Sequence, residues 1–235
     1  LSAFKNGRRD SIIAINIDHD DELIEVKATK GSDEIILATQ AGMSIRFDEK
    51  QLRDQGRGTR GVKGVTLSPD DRVESMEIVA DGATFLVCTE NGYGKRTAFD
   101  EYRRQHRGGR GIIAIKTSER NGNLVGAHAV RETDALMLIT AQGKMIRMEI
   151  GDVRGIGRNT QDVRLIQLEE GDTPVSTEVV APADLDESGV LVGRDVRARR
   201  VVRADEDEGA DGASLGSVED LGHGGGVDLP VPVAV

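Results

Sequence analysis

Apolar and polar residues alternate over short runs along this chain, and the runs are bounded by Gly, Asp and Asn. Met145-Ile146-Arg147-Met148 and Ile113-Ala114-Ile115-Lys116 have the period of two that sends one set of side chains inward and the other into solvent. Runs rich in Ile, Val, Leu, Phe and Thr predict strands at 75–80, 84–89, 94–99 and 111–116. The same series falls at 23–29, 34–39, 43–47 and 62–67 before them, and at 125–131, 135–140, 144–149 and 163–168 after. No long segment of helical period competes with these strands.

The strands recur because the sequence itself repeats. Thr39-Gln40-Ala41-Gly42, Thr89-Glu90-Asn91-Gly92 and Thr140-Ala141-Gln142-Gly143 place a turn glycine at intervals of 50 and 51 residues. Four antiparallel strands in about 50 residues is the size of a propeller blade, so the expected class is an all-β propeller of four-stranded blades. Units are expected at 21–72, 73–124 and 125–174. Partial units stand at 1–20, where Ser11 to Ile17 matches a fourth strand, and at 175–181, where Val175 to Val180 matches a first. Three whole blades and two fragments fall short of the roughly four to eight of a closed ring. The first residue is Leu1 and the chain enters in mid-repeat, as expected of a piece of a longer polypeptide.

Charge divides the chain. The net charge is −10, but residues 176–235 hold 13 acids against 5 arginines, which leaves the first 175 residues near balance. After Pro182 the repeat ends, and Asp205-Glu206-Asp207-Glu208, scattered glycines and Pro230-Val231-Pro232-Val233 predict an acidic, disordered tail over 182–235, either competing with an anionic ligand for basic loops or merely solubilising. The basic island from Arg194 to Arg203 has no explanation at this level. Cys88 is the single cysteine and lies in an apolar run, which predicts a buried, inert thiol and no internal disulfide. No apolar stretch approaches the ~20 residues of a membrane span, and no signal peptide precedes the repeats.

Within each unit the third and fourth strands are separated by a loop of about fourteen residues, long enough to suggest function. Arg57, Arg107 and Arg158 stand fifteen residues after the turn glycines. Residues 42–65 carry net +3, 95–110 net +4 and 142–164 net +2. Cations and glycines repeated in register suit contact with phosphates without base selection, because phosphate contacts position a duplex and base edges specify it. The candidate DNA contacts are Arg46, Arg53, Arg57, Arg60, Lys63, Lys95, Arg96, Arg103, Arg104, Gln105, Arg107, Gly108, Gly109, Arg110, Gly111, Lys144, Arg147, Arg154 and Arg158. The plainer alternatives are solvated linkers for the loops and edge-strand charges for Arg46, Lys95, Arg96 and Arg147. Base selection is not expected, since there is no recognition helix and aromatics are 3% of the chain. Tyr93 and Tyr102 read as packing residues. His19, His106, His128 and His223 are scattered, Asp18-His19-Asp20-Asp21-Glu22 lacks EF-hand spacing, and no P-loop or hydrolase elbow appears. No metal, cofactor or catalytic centre is therefore expected in this chain.

Gln105-His106-Arg107-Gly108-Gly109-Arg110-Gly111 resembles the Gln-Arg-Arg-Gly-Gly-Lys-Gly box of the C-terminal, DNA-wrapping domain family of bacterial DNA gyrase A. Glu90 to Thr97, Glu119-Arg120-Asn121-Gly122 and Gly157-Arg158-Asn159-Thr160-Gln161 are also similar to phrases of that family, so the resemblance covers about residues 1 to 180. It implies a six-bladed propeller variant, the β-pinwheel, whose basic rim wraps double-stranded DNA in support of negative supercoiling. It further implies membership of an ATP-dependent type IIA topoisomerase, DNA gyrase, with the remainder of gyrase A and with gyrase B as partners, in the cytoplasm at the nucleoid. His106 departs from the basic residue of the family box. The family's principal box belongs to the first blade, whereas at least two units precede Gln105, so this segment reads as the box-like loop of a later blade with the principal box expected upstream. The corresponding domain of topoisomerase IV and a protein-binding propeller remain as alternatives.

Overall fold

A computed structural model describes residues 13–56, 58–158, 160, 162–169, 171–182 and 231–234. The unit fragment at 1–12, Arg57 and most of the acidic tail, including the Arg194 to Arg203 island, lie outside the described residues. The strands are β1 (Val26–Thr29), β2 (Glu34–Thr39), β3 (Met43–Asp48), β4 (Val73–Ile78), β5 (Thr84–Thr89), β6 (Tyr93–Ala98), β7 (Ile112–Ile113), β8 (Leu124–Val130), β9 (Ala135–Thr140), β10 (Met145–Glu149), β11 (Val163–Arg164), β12 (Pro174–Val180) and β13 (Val231–Ala234). Each third strand ends in one turn of 3-10 helix, at Glu49–Gln51, Phe99–Glu101 and Ile150–Asp152.

One sequence unit does not close one sheet. The sheets run β4-β2-β3-β7, β11-β6-β5-β8 and β10-β9-β12. Each hairpin, β2–β3 for example, takes the next unit's first strand on one edge and the next unit's fourth strand on the other. The physical cause is the long loop after each third strand, which carries the chain off its own hairpin and returns it one blade earlier. The expected strand at 62–67 accordingly joins no ladder among the described residues. Its Val65 instead packs with Ile35, Leu37, Ile45, Phe47 and Met76 on the outer face of the first sheet.

Three complete blades were expected, but among the described residues the third sheet has three strands. By the same exchange, its fourth would come from a further unit. A second departure concerns the tail, where Val231–Ala234, assigned to disorder by composition, forms β13 and pairs antiparallel with β1. By register β1 is the first strand of a unit and would sit on the hairpin before it, so its edge is open to another strand.

The central strands are buried on both faces, which is why they read as near-continuous apolar runs. Ile36 and Ala38 of β2 meet Phe85 and Val87 of β5 in one cluster, together with Phe99, Tyr102, Ala114 and Ile115. Leu86 and Cys88, on the other face of β5, meet Leu136 and Leu138 of β9 in the next. Tyr102 stacks edge-on against Phe85 at 5.4 Å between ring centroids, which supports its reading as a packing residue. Burial pushes its phenol up to about 12 and the Cys88 thiol likewise to about 12, so the thiol is inert as expected.

The first strands of successive sheets run side by side, β1 against β4, β4 against β8 and β8 against β12. A buried polar chain crosses them. Lys27 Nζ donates to Glu77 Oε2 at 3.0 Å, His128 Nδ1 lies 3.5 Å from Glu77 Oε1, and His128 Nε2 meets Thr177 Oγ1 at 2.7 Å. Burial pushes the Glu77 carboxyl up, but the His128 hydrogen bond and the Lys27 charge outweigh it and hold the group below its ordinary range.

Candidate nucleic-acid interface

The structure sorts the basic residues of the repeat by position. In the first class are third-strand cations that the fold itself consumes. Arg46 is one of these: its Nε donates to Glu34 and its Nη1 to the carbonyls of Phe99 at 2.7 Å and Tyr102 at 3.3 Å, in the next unit. Arg96, fifty residues later, donates Nε to the Val153 carbonyl and Nη2 to Glu132 at 3.0 Å. Both side chains are only 11% exposed. Arg147 occupies the same place in the third sheet, where no following unit lies among the described residues; it is 43% exposed and pairs with Glu149.

Lys95 is 1% exposed, and its ammonium bonds the carbonyls of Arg158 and Thr160. Desolvation lowers its pKa, with Asp162 opposing. Lys95, Arg46 and Arg96 were candidate phosphate contacts on sequence. All three are largely buried and donate to backbone carbonyls of the next unit, which weighs against phosphate contact at these positions.

Arg107 and Arg158 form a second class. The backbone N–H of Arg107 donates to Gln51 Oε1, its Nε to the Gln51 carbonyl at 3.0 Å and its Nη1 to the Lys63 carbonyl at 2.9 Å. Arg158 repeats this one unit on, with its N–H on Glu101 Oε2 at 2.7 Å and its Nη1 on the Ile113 carbonyl at 2.8 Å. Gln51 and Glu101, like Lys63 and Ile113, are fifty residues apart.

The box glycines also serve these loop-to-loop contacts. Gly108 donates to the Gly64 carbonyl and accepts from Thr66 Oγ1, while Gly109 accepts from the Thr66 amide. Asn16 makes the equivalent bonds to Gly58 and Thr59, one repeat earlier. Gly111 has φ +75, and a Cβ there would lie 2.2 Å from the Ser44 carbonyl oxygen. Gly111 thus lets its backbone lie close against β3. Gln105 donates its amide to the Arg46 carbonyl, and its side-chain nitrogen is buried without a partner among the described residues.

The third class points outward. Arg53, Arg103 and Arg154 each follow a 3-10 turn, are exposed, and form no ion pair among the described residues. Lys63 and Arg110 share that condition. Arg60 pairs with Asp18 at 2.9 Å while 74% exposed, Arg104 pairs with Glu34 while 70% exposed, and Lys144 pairs with Glu169 while 45% exposed. The Arg60–Asp18 and Lys144–Glu169 pairs, exposed on both sides, are worth ~0–1 kcal/mol and yield readily to a phosphate.

One basic cluster escaped the sequence reading. Tyr93 lies between Arg120, 4.5 Å from its ring centroid, and Arg164, which also donates to its hydroxyl at 2.8 Å. Hydrogen bonds from Arg164 and then Arg120 hold the Tyr93 phenol below its ordinary value. Arg120 and Arg164 are 44 residues apart, so only the sheet pairing of β11 with β6 could have joined them. Among the described residues no helix is long and apolar enough to cross a membrane, and no group of three acidic, His or Cys side chains is disposed to hold a metal ion.

Antiparallel sheets packed face to face, tied by exchanged strands and carrying an exposed arginine in each loop, define a repeat β-propeller domain. Residues 33–80, 83–131 and 134–181 match the family model described as DNA gyrase C-terminal domain, beta-propeller. The chain belongs to that family. The matched segments begin at β2, β5 and β9 and end with β4, β8 and β12, so they follow the observed sheets. DNA gyrase A of Salmonella typhimurium strain LT2 is 41% identical over 221 residues, 94% of this chain and 24% of the relative. DNA gyrase A of Chlamydia pneumoniae is 40% identical over 195 residues, 82% of this chain and 23% of the relative. The chain thus spans about a quarter of the length of the curated relatives it matches.

A solved DNA gyrase A C-terminal domain is 27% identical with a TM-score of 0.69, covering 76% of this chain and 60% of that one. The C-terminal domain of a DNA topoisomerase IV is 24% identical with a TM-score of 0.72, covering 76% and 56%, and shows the shared fold.

Proposed function

We propose that this domain binds double-stranded DNA without sequence selection and bends it around the loop side of the propeller, supporting negative supercoiling by a gyrase formed with the remainder of gyrase A and with gyrase B. The observation that carries this reading is the outward arginine after each 3-10 turn, Arg53, Arg103 and Arg154, repeated in step with the blades. Phosphates respond to local potential within about 10 Å at ordinary salt, so these cations act despite the net charge of −10. Bending 20–30 base pairs through 40–90° costs on the order of 1–6 kcal/mol, which stations on successive blades offset together where one blade does not.

Similarity to gyrase A at 40–41% identity favours gyrase over topoisomerase IV. As part of such an enzyme the chain would work in the cytoplasm at the nucleoid. The 1–181 propeller and the 182–235 acidic tail form its two parts. Closed circular plasmid relaxed by a topoisomerase with this chain bound, then stripped of protein, should show a shifted linking-number distribution. Unchanged topoisomers together with no salt-sensitive gel shift would refute the reading. Salt-tolerant capture of a polypeptide would favour a protein-binding propeller instead.

A further inference from the structure

We propose that Arg107 and Arg158, each fifteen residues after a turn glycine, are positioning residues, which bolt one rim loop to the preceding one and so set the path of the DNA. This rests on the DNA-bending reading above. It assigns Arg107 and Arg158 a role distinct from that of the exposed cations beside them.

The rim loops are held by few ladder bonds. The outer strands β7 and β11 pair over two residues each, so the loops between third and fourth strands are not fixed by extended ladders. What joins successive loops is a small set of bonds that recurs with the repeat. Arg107 reaches back to the Gln51 and Lys63 carbonyls, and Arg158 reaches back to Ile113 with its amide on Glu101. The guanidinium of Arg107 spans two carbonyls that lie on either side of the 51–63 loop. A planar fork holds both in one orientation, whereas an ammonium is a point charge on a flexible stem.

Arg103 and Arg110 ride on the same loop and are free of ion pairs among the described residues, so the bolt fixes where their charges sit relative to Arg53 and Lys63 on the loop before. Affinity follows the number of neutralised phosphates, but the bend follows the angle between stations. The two classes of arginine therefore divide these properties. Arg57 holds the same register in the first unit and lies outside the described residues.

The test uses the full chain with Arg107→Lys, Arg107→Gln and Arg110→Gln, read by plasmid linking number and by the salt dependence of binding to a short linear duplex. Arg107→Lys keeps the charge, so a phosphate contact would survive it. The bolt would not, and the linking-number shift should fall to about half or less while linear-duplex affinity stays within about twofold. Arg107→Gln should leave the salt slope within about half a unit of the unsubstituted value, against a loss of about 0.9 for Arg110→Gln.

Undiminished wrapping by Arg107→Lys, or a slope loss in Arg107→Gln equal to that of Arg110→Gln, overturns the proposal. If the unsubstituted chain neither binds DNA nor shifts linking number, the DNA reading fails by itself, and amide exchange decides the bolt. Exchange at the Thr66 and Gly108 amides should then quicken about tenfold in Arg107→Lys, and unchanged exchange overturns the bolt. Should Arg107→Lys fail to fold by circular dichroism, Arg158→Lys at the next junction is judged by the same wrapping and affinity criteria.

Discussion

Gly42 and Gly143 occupy the same turn with nearly the same backbone, φ +79 and φ +80, yet replacing each by Ala should have very different consequences. Both substitutions meet the left-handed conformation, which costs an L-residue roughly 1–2 kcal/mol, reduced by ~0.4–1 kcal/mol of lost unfolded-state entropy. At Gly143 nothing stands within 4 Å of the new Cβ, so the net effect should stop near about 1 kcal/mol. At Gly42 the Cβ would lie 2.2 Å from the Ile115 carbonyl oxygen, well inside any tolerable contact.

The fourth strand must then move away, and the Gly42 carbonyl loses the amides of Ala114 at 2.8 Å and Ile115 at 3.2 Å. Two net hydrogen bonds at ~0.5–1.5 kcal/mol each bring the total to about 2–4 kcal/mol. Urea unfolding should therefore separate the variants by about 1–3 kcal/mol, with faster exchange at the Ala114 and Ile115 amides confined to Gly42→Ala. Equal destabilisation of the two, or unchanged exchange at those amides, would refute the strand-exchange account of the sheets.

Replacing Arg53, Arg103 and Arg154 together by Gln should reduce the salt slope of DNA binding by about 2.7 units, so that affinity falls about 40-fold less between 50 and 200 mM salt, with the loss uniform across duplex sequences. Because none of the three makes an ion pair among the described residues, stability should change by no more than about 0.5 kcal/mol per site in a thermal melt. Lys95→Ile, which installs the residue found at Ile45 and Ile146, should leave the salt slope unchanged, and a slope loss of a full unit in fluorescence anisotropy would contradict its burial. Glu77 has its folded pKa depressed, so its contribution to stability is present above the ordinary glutamate value of about 4.3 and is lost as pH falls through the folded value. Glu77→Gln should accordingly flatten the acid limb of a stability against pH curve, and an identical acid limb would count against the Lys27–Glu77–His128 chain.

The alternation of side chains, the glycine turns and the fifty-residue period determine strand positions, because each depends on neighbours a few residues away. The runs at 34–39, 84–89 and 135–140 return as β2, β5 and β9 with no change at either end. Partnership between strands is another matter. A fourth strand at 62–67 looks from sequence like the partner of 43–47, but the loop between them is long enough to place it on a different hairpin, and only the ladder β3–β7 reveals the exchange.

The same holds for charge. Sequence puts Arg46, Lys95, Arg103 and Arg107 into one basic population, since all are cations in or after the third strand of a unit. Tertiary structure separates them: Lys95 lies beneath a loop, Arg46 and Arg107 are held by carbonyls fifty or so residues away, and Arg103 projects into solvent. A side chain's charge is local and can be read from one letter of sequence. Its availability depends on which carbonyls the packing of successive blades brings within about 3 Å of it, and no local pattern encodes that.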